Sequence, residues 1–250
     1  MLLLSSNCYR IKSTKHKGRG VFARQEIAAG TVIGDYLGRL VMENEVTVLE
    51  KKCDNACYSM DYAGNDLSIF PVDIKAPGVH LINHSCTPNC DTYYYLGHTL
   101  YFATRRIMPG EELTVDYGFD ADDADQGKWF LYPCFCGSPV CRGTMYTSAV
   151  RLKRYGAFCR EQAKKQKKFK LLKADSILPP LETYPKTIPD FSSYDLFADL
   201  KSAPVGYEDK KLPNIKEIRR RLRATGRPLC FSAIGLTVWG VSDNRLQAWR

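Results

Sequence analysis

The chain has 250 residues, 44% of them apolar and 25% charged, with a formal net charge of +9. That length and balance support one or two packed domains and exclude wholesale disorder. No apolar run approaches the roughly 18 residues of a membrane-spanning helix. The Leu-rich start is too short for a secretory leader and has no basic residue before it. A soluble intracellular chain without a membrane partner is expected.

The first 120 residues read as short strands broken by Gly, Pro and Asn. Alternation and β-branched or aromatic content predict strands at 9–13, 20–23, 31–37, 39–41, 68–72, 92–96, 99–103 and 113–115. Gly18-Arg19-Gly20, Ala29-Gly30 and Pro109-Gly110 are turns between them. Residues 43–51 are the one helix expected there. From residue 149 to 173 the text turns basic and helical, with ten Lys and Arg against one acid over 151–173. Residues 174–212 are loop-like, with Pro179-Pro180, Pro185, Pro189 and Pro204; they read as a linker or as an extended segment lying on another surface.

A last unit spans 212–250. Ile215, Ile218 and Leu222 share one helical face, Gly226 sits near a C-cap position, and Ser242 can cap a short helix anchored by Leu246 and Trp249. Such a pair resembles a helix-turn-helix, with Asn244, Arg245, Gln247 and Arg250 facing nucleic acid. The plainer alternative is a basic appendage packed on the rest of the chain. Charge divides the same way. Residues 1–150 hold 14 Lys and Arg against 17 Asp and Glu, a net of −3; residues 151–250 hold 22 against 10, a net of +12. DNA binding, if present, therefore belongs to 151–250.

Ten cysteines is a high count for an intracellular chain. Cys134-x-Cys136-x4-Cys141 places three thiols within eight residues, a spacing that suits tetrahedral Zn²⁺; a disulfide scaffold is the alternative. Cys53 and Cys57 read as buried free thiols or as half of a second metal site.

Three further pieces carry chemistry. Lys17-Gly18-Arg19-Gly20 can be a tight turn or a close backbone approach to a ligand. Asn83-His84-Ser85-Cys86-Thr87-Pro88-Asn89 is either a satisfied polar turn or a site. Glu111-Glu112-Leu113-Thr114-Val115-Asp116-Tyr117 ends a strand on a tyrosine, which is structural or reactive. In this order, with the cysteine segment, they resemble the SET domain family of protein-lysine methyltransferases and its post-SET zinc segment, over about residues 8–146.

The resemblance implies a mainly β fold of small, curved antiparallel sheets with a knot-like active site, followed here by a mostly α, basic extension. The expected organisation is a SET domain at 8–120, a post-SET segment at 130–146, a basic helix and linker at 147–211 and a small helical unit at 212–250. It implies S-adenosylmethionine as methyl donor, held by Lys17, Gly18, Arg19, Gly20, Tyr58, Asn83 and His84. Tyr117 matches the catalytic tyrosine, and Cys86 joins Cys134, Cys136 and Cys141 around a structural zinc. The substrate would be a lysine-containing basic protein, histone or other; a scaffold that binds DNA or chromatin without catalysis is the rival. No cysteine-rich segment of the kind preceding the domain in one histone-directed branch occurs before the first motif. Val115 stands where the family often has Phe or Tyr, and a Tyr there restricts the product to monomethyl-lysine; Val leaves room for di- or trimethylation. The family places such enzymes in the nucleus or on chromosomes in a eukaryote and in the cytoplasm in a prokaryote. The sequence does not specify an oligomeric state.

Overall fold

The computed structural model describes residues 1–53, 58–62, 66–119, 132–138, 141–146, 157, 160, 164, 169–188, 228–230 and 237–239. Strands β1 (Tyr9–Ser13) and β2 (Arg19–Ala23) form an antiparallel hairpin. β3 (Val32–Asp35) and β4 (Arg39–Met42) follow and enter different sheets. Helix α1 (Glu43–Lys52) begins where Glu45 Oε2 accepts a hydrogen bond from the Met42 N–H, 3.1 Å. Acids in its first turn and Lys51-Lys52 in its last complement the helix dipole. β5 (Met60–Asp61) and β6 (Leu67–Phe70) complete the sheet β4-β6-β5. A 3₁₀ turn (Val79–Leu81) leads into β7 (Asn83–His84). β8 (Cys90–Tyr95), β9 (His98–Ala103) and β10 (Thr114–Val115) follow.

The β8–β9 hairpin turns on Leu96 and Gly97, both at positive φ (50° and 83°), as a two-residue turn compatible with strand twist requires. β9 is the central strand of β3-β9-β8, and all six of its residues are buried. Its two faces feed different cores. Tyr101 and Ala103 join the main cluster with Val21, Ile33, Leu81 and Leu113. Leu100 and Phe102 join a second with Val32, Tyr93 and Ile188. A strand covered on both faces has no polar side to alternate, so Leu100–Ala103 is an unbroken apolar and aromatic run.

Residues 169–188 help to cover both clusters, Leu172 and Leu178 the main one and Tyr184 and Ile188 the second. They run extended across β3 and β4: Leu178 N–H donates to Gly38 O (2.9 Å), Leu40 N–H to Ser176 O (2.8 Å), Val32 N–H to Lys186 O (2.9 Å) and Ile188 N–H to Gly30 O (3.0 Å). Leu178 and Ile188 are buried. The Tyr184 hydroxyl donates to Asp35 Oδ2 (2.8 Å), which His98 Nδ1 also meets at 2.7 Å. Over 174–188 this Pro-rich stretch lies extended on another surface; residues 189–212 lie outside the described residues.

Ala157, Arg160 and Lys164 of the basic stretch are helical and exposed. Within 212–250 the described residues are strands, β11 (Pro228–Cys230) and β12 (Thr237–Trp239), paired antiparallel. These six positions fall between the two helices expected in this unit; β-branched and aromatic residues in Thr237-Val238-Trp239 favour extended backbone. The helix expected over 215–223 and the one expected to end at Trp249 lie outside the described residues. No described helix is long and apolar enough to cross a membrane.

Candidate active site and cysteine cluster

The site forms where a parallel pairing interrupts the antiparallel pattern. β10 lies beside β7 with Thr114 opposite Asn83 and Val115 opposite His84. Ser85 N–H continues the ladder to Val115 O, 2.9 Å. Two segments thirty residues apart in sequence thereby place Asn83, His84 and Tyr117 together. Asn89 locks the junction: its Nδ2 donates to Glu112 O and its Oδ1 accepts from Thr114 N–H, both 2.8 Å.

The β1–β2 turn closes one side. Gly18 has φ +68°, a left-handed conformation that side chains resist. Lys17 Nζ meets Glu112 Oε2 at 2.6 Å. The Arg19 guanidinium donates to the Ile74 and Lys75 carbonyls at 2.7 and 2.9 Å. A Cβ on Gly20 would fall 2.7 Å from Glu112 Oε1 and 2.9 Å from Asn83 Nδ2. The missing side chain is what lets these groups close on the backbone. Asn83 Nδ2 donates to Glu112 Oε1 (2.8 Å) and Arg19 O (3.2 Å), while its fully buried Oδ1 has no partner. An orphaned buried acceptor beside a glycine cradle fits a ligand that brings its own N–H donors.

His84 is buried, and burial lowers its pKa to about 4, against the opposing pull of Asp116. It is neutral at pH 7. Its Nδ1 accepts from Tyr117 N–H at 3.2 Å, so the ring proton belongs on Nε2, which faces Cys86 Sγ at 3.6 Å. The Tyr117 ring packs on His84 (5.3 Å) and Phe119 (5.7 Å), and its hydroxyl donates to Ile82 O at 3.4 Å. Tyr58 sits further off. Its ring is buried with Val41 and Phe70 and meets His80 edge-on at 5.9 Å. It joins the site through its carbonyl, which accepts from the Tyr36 hydroxyl at 2.5 Å.

Cys86, Cys134, Cys136 and Cys141 bring their sulfurs within 4.8 Å of one another. Cys86 lies 3.6 Å from Cys134 and 3.8 Å from Cys141. Four sulfurs about 2.3 Å from a central Zn²⁺ stand about 3.8 Å apart, so the donor set fits a tetrahedral ion. The Cys134 thiol pulls Cys136 and Cys141 below the usual thiol range, Cys141 to about 7. Cys90, buried one residue after Asn89, is outside the cluster, and burial pushes its thiol up. Cys57 lies outside the described residues.

Sequence reasoning missed three groups here. Glu112 ties Lys17 to Asn83. Asp116 and Arg142 form a buried pair, Oδ2 to Nη2 2.8 Å, that joins the strand end at Tyr117 to the cysteine segment. Arg142 N–H also donates to Cys86 Sγ at 3.4 Å. The position of Arg142, directly after Cys141, was the available signal.

Residues 18–118 match the family model described as SET domain. Over 141 residues the chain is 36% identical to "Histone-lysine N-methyltransferase TRX1" of Oryza sativa subsp. japonica, a match covering 54% of this chain and 13% of that protein. It is 35% identical over 132 residues to the human "Histone-lysine N-methyltransferase 2B", covering 50% of this chain and 5% of that one. Among solved structures, "crystal structure of KRYPTONITE in complex with mCHG DNA and SAH" is similar with TM-score 0.44 and 26% identity, covering 55% of this chain and 29% of that one. The chain thus spans a small fraction of the length of the curated relatives it matches.

Proposed function

We propose that this chain, whose residues 18–118 form a SET domain, is an S-adenosylmethionine-dependent protein-lysine N-methyltransferase that acts on a basic protein, with histones the first class to test. The observation that carries the reading is the convergence of Tyr117 with the orphaned Asn83 Oδ1 and the glycine cradle at Gly18 and Gly20.

The donor supplies an electrophilic methyl on a sulfonium; what the chain must supply is alignment more than a strong base. Asn83 Oδ1 is placed to accept from the donor's amino group, with the backbone of 17–20 alongside. The Tyr117 hydroxyl, which donates to Ile82 O, is the group assigned to orient the target amine and to meet polarised C–H groups. Asp116 is engaged with Arg142, so it orients rather than accepts the amine proton; that proton leaves to water, its loss eased by a nearby cation and desolvation.

Zinc at Cys86, Cys134, Cys136 and Cys141 would be structural, since four protein ligands close its coordination. It would tie the Asn83–Asn89 turn to the segment after Tyr117. Val115, buried and without a hydroxyl, leaves room for a second and third methyl. The acidic residues 1–150 suit a basic peptide, and residues 151–250 are assigned any nucleic-acid contact.

The test is incubation with tritiated donor and recombinant unmethylated core histones, with label located by mass spectrometry. Label on lysine side chains supports the reading. A correctly folded, zinc-loaded protein that binds DNA but labels no histone favours the non-catalytic scaffold.

A further inference from the structure

The net charge of −3 over residues 1–150 hides a sharper division. Residues 1–24 hold six Lys and Arg and no acid, whereas residues 25–150 hold eight against 17 Asp and Glu. Two of the six, Lys17 and Arg19, are taken by Glu112 and by the carbonyls of Ile74 and Lys75. The other four, Arg10, Lys12, Lys15 and Arg24, are exposed and form no ion pair with a described residue. Glu26, the first acid in the chain, is paired with Arg106 at 3.3 Å.

The β1–β2 hairpin gathers these cations through its period of two. Tyr9, Ile11, Val21 and Ala23 pack on the main core, so Arg10, Lys12 and Phe22 face away from it. Arg10 stands opposite Phe22, and Lys12 Nζ lies over the Phe22 ring, 3.9 Å from its centroid. That cation–π contact gives the ammonium a fixed place at the surface. Arg24 N–H donates to Cys8 O at 2.8 Å, which continues the pairing one step, and the strand period puts Arg24 on the side of Phe22. Lys15 lies in the turn, two residues before Lys17.

Unpaired cations around one aromatic ring attract an extended anion, and the acidic remainder of 25–150 repels the same anion elsewhere. The hairpin also repels a free basic protein from the neighbouring cradle at Lys17–Gly20. That conflict disappears when the substrate's own charge is met by a polyanion that carries it. An acidic protein would satisfy the cations but would bring no basic substrate with it. We propose that the outer face of the β1–β2 hairpin docks the sugar-phosphate backbone of duplex DNA, so that the target lysine is presented by a DNA-bound protein. The docking stands on the charge and geometry of the hairpin; its effect on turnover rests on the methyltransferase reading. Contacts of this kind go to phosphates and read no base sequence. They add to any made by residues 151–250.

The experiment measures binding of the full chain to a random-sequence DNA duplex between about 50 and 200 mM salt. Each phosphate contact contributes about 0.9 to the slope of log affinity on log salt, so the triple variant Arg10→Ala, Lys12→Ala, Arg24→Ala should flatten that slope by about 2.7. Over this range wild type should then lose about 40-fold more affinity than the variant. The double variant Arg10→Lys, Arg24→Lys keeps the charges and should keep the slope. With tritiated donor, wild type should label histones assembled on DNA faster than free histones. The triple variant should lose that advantage and label free histones at the wild-type rate. An unchanged slope in the triple variant overturns the proposal, as does a charge-keeping variant that flattens equally, or wild-type protein that does not bind the duplex. Binding to polyglutamate that the triple variant loses while its DNA slope stays would assign the face to an acidic protein and overturn it too. Wild-type protein that labels no lysine yet shows the expected slope change upholds the docking and removes the methyltransferase reading.

Discussion

Replacing Arg142 by Ala should be far more damaging than its distance in sequence from Tyr117 implies. Its side chain is 4% exposed and its partner's 1%, so Asp116 cannot recover water when the guanidinium leaves. The Gly118 N–H, 3.2 Å from Oδ1, is a neutral donor and cannot replace the lost charge. An uncompensated buried carboxylate of this kind costs about 3–5 kcal/mol. The nearest group able to neutralise it is His84, with Nδ1 3.7 Å from Asp116 Oδ1. Protonation there would remove the acceptor for Tyr117 N–H and shift the tyrosine. Urea unfolding of wild type, Arg142→Ala, Asp116→Leu and the double variant measures this as a thermodynamic cycle, with methyl transfer followed in parallel. Arg142→Ala should lose about 3–5 kcal/mol and most activity, and adding Asp116→Leu should restore at least half of the stability. A loss below about 1 kcal/mol, the size of an exposed pair, would refute the reasoning.

Stability should fall on mild acidification. Burial lowers the pKa of His80 to about 4, from an unfolded value near 6.5. The unfolded chain therefore takes up a proton that the folded chain refuses, and stability present above pH 6.5 declines between 6.5 and 4, by about 3 kcal/mol for this group. His80→Gln should flatten the dependence of urea midpoint on pH, and an unaltered slope would count against burial as the cause. Metal analysis should give one zinc per chain; Cys136→Ser should lower retention at least tenfold against a chelator and abolish activity, whereas Cys90→Ser should keep the metal. Leu178→Ala should cost about 2–4 kcal/mol as a cavity in the main core. A negligible effect on the urea midpoint would return residues 174–188 to the status of a linker.

Strands with strong local signals were legible. The 9–13 strand matches β1 residue for residue, and the 43–51 helix differs from α1 by one. The two-residue strands β5 and β7 had no such signal, because a ladder that short is made by its partner rather than by its own propensity. The same holds at the site. Motif residues such as Asn83, Tyr117 and the cysteines could be named from their spacing. The roles of Glu112 and Asp116 could not, since ordinary charged residues announce no partner until the fold pairs them, and Arg142 had only its place after Cys141 as a signal. The Pro-rich stretch read as loop because an extended strap satisfied by single bridges has no period of its own.

The most direct measurement separates donor binding from transfer at Tyr117. Removing one hydroxyl from Tyr117 by Tyr117→Phe should leave calorimetric affinity for S-adenosylhomocysteine within about threefold of wild type, because the donor contacts assigned here belong to Asn83 and the 17–20 backbone. The rate of methyl transfer to histone lysine should fall at least 100-fold, about 2.7 kcal/mol of transition-state stabilisation. An unchanged transfer rate with intact affinity would contradict the catalytic role of Tyr117, and with it the central claim that this site is built around that hydroxyl.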